Sequence, residues 1–160
     1  MGSASSQSVV NPFQSVIQPV NVQDCPEEFD QTKREAMFAF RTTDLGSNDQ
    51  SSAVIKELKH WSLVVHFPRG KKTYLFEADR EDGTAGLLQA TRTENVNYLV
   101  FHRADYFGTL HTSPRELLKK AKKVKSNGTP YNLTTNNCQT WLKQFLQLIS
   151  PKLFKSFQAM

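Results

Sequence analysis

The sequence predicts an α+β fold, a small antiparallel sheet packed against the helices that follow it. Three observations predict it. In HWSLVVHF, residues 60–67, the side chains Trp61, Leu63, Val65 and Phe67 alternate with His60, Ser62, Val64 and His66, the two-residue period of a strand. That stretch passes through Pro68, Arg69, Gly70 and Lys71 into a second extended segment, TYLFEA, as a hairpin does. Further on, Cys138, Trp141, Leu142, Phe145, Leu146 and Ile149 recur at spacings of three and four, the apolar stripe of a helix. The chain has 160 residues, enough for one domain whose core needs no disulfide or metal.

Taken in order, residues 1–27 read as a flexible tail, rich in Ser, Gln, Val and Asn and interrupted by Pro12 and Pro19. Residues 28–57 read as a variable leading segment, with a weak helical pattern over 27–40 and a polar loop, DLGSNDQSS, over 44–52. The ordered domain is expected over 58–150. After the hairpin, VNYLVFH at 96–102 reads as a third strand. Ser113, Pro114 and Glu116 start a helix as N-cap, first residue and capping-box partner. That helix turns Leu117, Leu118, Ala121 and Val124 to one side and lysines to the other, and Asn127-Gly128 ends it. Asn136 or Asn137 caps the last helix and Pro151 stops it, leaving 151–160 as a short basic, aromatic tail. No internal repeat is present.

Composition narrows the function. The two cysteines, Cys25 and Cys138, are far apart and form no CxxC pair, which excludes a disulfide scaffold and a thiolate zinc site. No apolar run approaches the ~18 residues of a membrane span, and no secretory pattern opens the chain. A cytoplasmic protein, at most peripheral to a membrane, is expected. The net charge of +5 is concentrated in Lys119, Lys120, Lys122, Lys123 and Lys125. Such a run is a solvated helix face before it is anything else, and no motif for nucleic acid accompanies it.

The chemistry centres on Cys138. In the first turn of a helix a thiolate meets the positive end of the dipole and unpaired amide donors, which make the sulfur a nucleophile. His60 opens the first strand of the hairpin, and folding about the 68–71 turn puts it opposite Glu77 or Ala78. Glu77 is then placed to orient the imidazole. Cys138, His60 and Glu77 are the parts of a thiol catalyst, with the Cys138 backbone N–H as the oxyanion donor. Trp61 and Trp141, with the 11 phenylalanines, are candidates to line an apolar route for substrate. His60 and His66 share a strand face without a third ligand at useful spacing, so no metal is expected; no cofactor is implied.

HWSLVV, the aromatic strand after it, and YNLTTNNCQTWLKQFL together resemble the permuted papain-like families of the NlpC/P60 superfamily, over roughly residues 58–150. In these the His-bearing strand precedes the Cys-bearing helix. The lecithin:retinol acyltransferase-like branch is matched at His60-Trp61 and Asn137-Cys138, which implies a lipid acyl ester as substrate and an acyl-Cys thioester as intermediate. The PPPDE branch, isopeptidases acting on ubiquitin-like conjugates, is matched at Tyr131-Asn132-Leu133. The chain departs from the first branch in carrying Glu77 where that branch has a second His, and Gln139-Thr140-Trp141 after the Cys. A catalytically idle binding module is the reading from another class. MGSASS also fits an N-myristoylation pattern, with Gly2 as acceptor. One such chain anchors weakly, so the lysine run or KLFKSF is the expected second signal to an anionic membrane surface.

Overall fold

The computed structural model describes residues 30–43, 59–81 and 86–160, and of residues 14–16 the backbone. These form β1 (Gln14–Val16), β2 (Arg34–Thr43), β3 (His60–Phe67), β4 (Lys72–Arg80), β5 (Leu88–Thr93), α1 (Tyr98–His102), β6 (Asp105–Thr112), α2 (Pro114–Lys122), α3 (Cys138–Ile149) and α4 (Pro151–Gln158). The strands make one antiparallel sheet in the order β1-β5-β4-β3-β2-β6, so the fold is α+β.

The hairpin β3–β4 turns where the sequence places it, with Gly70 and Lys71 both at positive φ and the Lys71 N–H donating to Pro68 O. Leu63, Val65, Phe67, Tyr74, Phe76 and Ala78 face the main core, closed by Trp141, Phe145 and Leu146 of α3. The opposite face carries a smaller cluster of Ala39, Val64, Leu75 and Phe101.

Three segments differ from the sequence reading, each for a physical reason. Of the 27–40 stretch, the described residues 30–40 hold no helix beyond Asp30 and Gln31; most of them are β2, which lies between β3 and β6 inside the sheet. Phe38 enters the main core and Ala39 the smaller one, so both faces are covered and the two-residue alternation is lost. The 96–102 stretch is not a strand. Asn95 takes positive φ and Asn97 caps α1, its Oδ1 accepting the Leu99 N–H at 2.8 Å. Residues 151–160 are not a tail. Ser150 ends α3 and caps α4, Pro151 takes the first helical position, and Leu153 and Phe157 are buried. Phe157 sits 5.0 Å from Phe40, 5.8 Å from Trp61 and 5.5 Å from Phe107, ring centre to ring centre.

Helix α2 begins at Pro114 as expected, the Ser113 hydroxyl accepting the Glu116 N–H at 3.1 Å, but the Glu116 carboxylate faces Lys33 and Lys120 rather than closing a capping box. It ends earlier, at Lys122, and Asn127 Nδ2 reaches back to the carbonyls of Ala121 and Lys122. Strands β1, β5 and β6 are additions to the sequence reading; β1 falls within the 1–27 segment read as a tail, and pairs with β5. In β6, Gly108 admits α4, since a Cβ there would fall 2.7 Å from Leu153 Cδ1.

Candidate functional site

Cys138 is the first residue of α3, and the sequence before it is built to hold that helix end. Asn137 Oδ1 accepts the N–H groups of Gln139 and Thr140 at 3.0 and 3.1 Å, and Thr140 Oγ1 accepts the Asn137 N–H, a reciprocal capping box. The cap takes these two amides and passes over that of Cys138. Asn137 Nδ2 donates to Leu133 O at 2.7 Å, and Asn132 Oδ1 accepts the N–H groups of Thr134 and Thr135. Asn136 Nδ2 ties the loop to Thr129 Oγ1 and Pro130 O, both at 2.7 Å. The asparagine-rich approach is a scaffold of side-chain to backbone bonds.

Cys138 is 2% exposed, and its sulfur meets the start of β3. The Trp61 N–H donates to Cys138 Sγ at 3.5 Å, and the thiol lies 3.6 Å from Lys59 O. His60, between those two residues, bonds through Nε2 to Glu77 Oε1 at 2.7 Å. The register pairs Ser62 with Glu77, so His60 and Glu77 are diagonal neighbours rather than directly opposite; the long carboxylate side chain spans the offset. Ser62 Oγ donates to the same Glu77 Oε1 at 3.0 Å. With Nε2 on Glu77, the buried Nδ1 is the ring nitrogen that remains for Cys138, short of a well-aligned hydrogen bond to the sulfur.

Charge follows from this packing. Burial pushes the His60 pKa down, but hydrogen bonding to Cys138 and Glu77, and the negative charges of both, outweigh it and raise it to about 10. Burial likewise opposes ionisation of Glu77, yet its bonds to His60 and Ser62, with the charges of His60 and Arg41, hold its carboxyl below the usual range. Tyr131 is raised to about 12, by burial first and then by the negative charges of Cys138 and Asp79. An imidazolium steadied by a carboxylate, beside the Cys138 sulfur, is what this environment favours, and it suits nucleophilic attack by the sulfur followed by proton donation from the ring.

The other expected residues fall differently. Trp61 is half-buried against Phe40 and Phe157, with Lys143 Nζ 5.6 Å from its ring centre. Trp141 is fully buried in the main core, three residues on from Cys138, with its indole N–H on Asn127 Oδ1 at 2.6 Å. It is a core side chain and does not line a substrate route. Beside the site runs a groove of about 380 Å³ lined by Thr134, Asn137, Gln139, Thr140, Lys143 and Gln144, all polar. Gly2 lies outside the described residues, as does Cys25. Sequence reasoning missed Ser62, Arg41 and Tyr131. Ser62 had a signal, since it lies two residues from His60 on the same strand face; Arg41 had none, because its strand was not recognised.

No protein-family model, no curated protein and no solved structure matches this chain.

Proposed function

We propose that the protein is a cysteine-dependent acyl hydrolase or acyltransferase of the permuted papain-like kind, working through an acyl-Cys138 thioester. The observation that carries this reading is the His60–Glu77 pair, bonded at 2.7 Å, beside a cysteine at the start of α3. In the first step Cys138 Sγ attacks the acyl carbonyl and the oxyanion forms near the Cys138 N–H that the cap leaves over. The leaving oxygen or nitrogen takes the proton of His60 as its bond to the acyl carbon breaks. In the second step His60 accepts a proton from water, or from an acceptor amine or alcohol, which attacks the thioester and frees the thiolate. Glu77 orients the ring and stabilises its charged form throughout. The steps as written need no cofactor.

A lipid acyl ester is the proposed substrate, with the exposed lysines of 119–125 as the peripheral attachment to an anionic membrane surface from the cytoplasmic side. A second reading, a thiol isopeptidase on ubiquitin-like conjugates, is favoured by the groove, whose amides, hydroxyls and Lys143 suit an extended polar chain better than an acyl tail. One experiment separates them. Incubation with vesicles of a diacyl phospholipid should add one acyl mass to Cys138 by intact-mass spectrometry, removable by hydroxylamine. The adduct should be absent in Cys138→Ala and strongly reduced in His60→Ala. Labelling by an electrophile on a ubiquitin-like C-terminus, with no lipid adduct, assigns the isopeptidase instead. Labelling by neither leaves an idle binding module.

A further inference from the structure

We infer that Ser62 is a positioning residue of this site: its hydroxyl fixes the Glu77 carboxylate in the one orientation that serves His60. The inference rests on the reading of Cys138 and His60 as the reacting pair. Its ground is geometric. The register aligns Arg41 of β2, Ser62 of β3, Glu77 of β4 and Thr91 of β5 in one row across four strands. Ser62 is 1% exposed and its Oγ donates to Glu77 Oε1 at 3.0 Å, the same oxygen that His60 Nε2 reaches at 2.7 Å.

A carboxylate on a glutamate turns broadly about its last torsion, so one bond to a histidine leaves its plane loosely set. A second donor on the same oxygen, from a strand neighbour whose own position is locked in the sheet, removes that freedom. A hydroxyl has a single proton to give, and an ionised carboxylate only accepts, so the direction of this bond is settled by the partners. The charged groups facing the His60–Glu77 pair are Arg41 from β2, beside Glu77, and Cys138 from α3, beside His60. β5 places Thr91, which carries no charge, opposite Glu77. A serine chosen only as a small buried side chain would leave the imidazole unaffected by loss of its oxygen.

The test compares Ser62→Ala and Ser62→Thr in the full chain, with a circular dichroism spectrum to show that each is folded. Two quantities are read: the titration of the His60 imidazole by NMR, and the pH dependence of Cys138 alkylation by iodoacetamide. In Ser62→Ala the His60 pKa should fall by about one unit, and the pH profile of Cys138 alkylation should shift with it. Ser62→Thr should recover both; where its extra methyl overpacks, Ser62→Cys, a poorer donor of similar shape, should fall between Ser and Ala. A folded Ser62→Ala with the wild-type His60 titration and alkylation profile overturns the inference. Because the titration does not depend on turnover, the two readings fail separately. A shifted titration in a protein that forms no acyl adduct supports the positioning role and removes the enzyme. An adduct with an unshifted titration removes only the role of Ser62.

Discussion

At the scale of single residues, two opposed effects meet on His60. Burial alone would make it a weak base, and the acceptors packed around it make it a strong one, at about 10. The sign of its pH dependence follows. A rate that needs the imidazolium proton is sustained through the neutral range and falls as pH rises through about 10. Glu77→Gln keeps a hydrogen-bonding partner but removes the negative charge, so the alkaline limb should move to lower pH and turnover should drop on the order of 100-fold. The register pairs Ser62 with Glu77 and leaves Asp79 exposed, so Asp79→Asn should leave both rate and profile nearly unchanged. A damaging Asp79→Asn with a silent Glu77→Gln would show the hairpin paired otherwise in solution. Cys138, in turn, should react with iodoacetamide much faster than Cys25 at about pH 6.5, despite its burial, because the thiolate rather than exposure sets the rate. Equal rates, or protection of Cys138 until denaturant is added, would remove the catalytic reading.

At the scale of elements, α4 supports the site from behind. Phe157 packs edge-on against Trp61, and the Trp61 N–H is the donor to Cys138 Sγ. Phe157→Ala should cost about 3–5 kcal/mol of stability in chemical denaturation. It should also slow Cys138 alkylation in the protein that remains folded, by loosening the start of β3. A change of under about 1 kcal/mol would mean that α4 is peripheral. The sequence made β3, β4 and α3 legible because each has one dominant periodic signal: alternation in β3, a turn flanked by β-formers before β4, and a stripe at three and four in α3. β2 hid its period, because Phe38 and Ala39 point into cores on opposite faces. α1 imitated a strand, since Tyr98, Val100 and Phe101 are strand formers and little besides the Asn97 cap argues otherwise. α4 is short, and its lysines concealed Leu153 and Phe157, whose burial depends on a partner sheet that the sequence does not display. The same limit applies to the site: Cys138, His60 and Glu77 were readable from spacing, whereas the Trp61 amide and the Arg41–Ser62 row exist only once the strands are paired.

At the scale of the whole molecule, the sulfur and Lys120 of the lysine run occupy opposite ends of α3. Cys138 begins that helix; Lys120 Nζ donates to Ile149 O at its end, at 3.3 Å, and pairs with Glu116. Twelve residues of helix put roughly 17 Å between the two ends. Lys120 is therefore committed to a helix terminus, and Lys119, Lys123 and Lys125 are the exposed charges available to an anionic surface. Among the described residues no helix is long and apolar enough to cross a membrane; the attachment proposed for this face is electrostatic and would be screened by salt. Charge reversal at Lys119, Lys123 and Lys125 should lower binding to vesicles containing anionic lipid, and should leave Cys138 alkylation in solution at the wild-type rate because none of these lysines is among the groups that set the charge of His60 and Glu77. Each lysine near the surface is worth about 1 kcal/mol, so three reversals should abolish sedimentation with vesicles rather than weaken it slightly. If Gly2 carries an acyl chain, Gly2→Ala should release the protein from membranes in cells to a similar extent, since neither signal holds alone. Vesicle binding that survives the triple reversal, with a membrane fraction indifferent to Gly2→Ala, would make the lysines ordinary solvated surface and confine any lipid encounter to the acyl-transfer site itself.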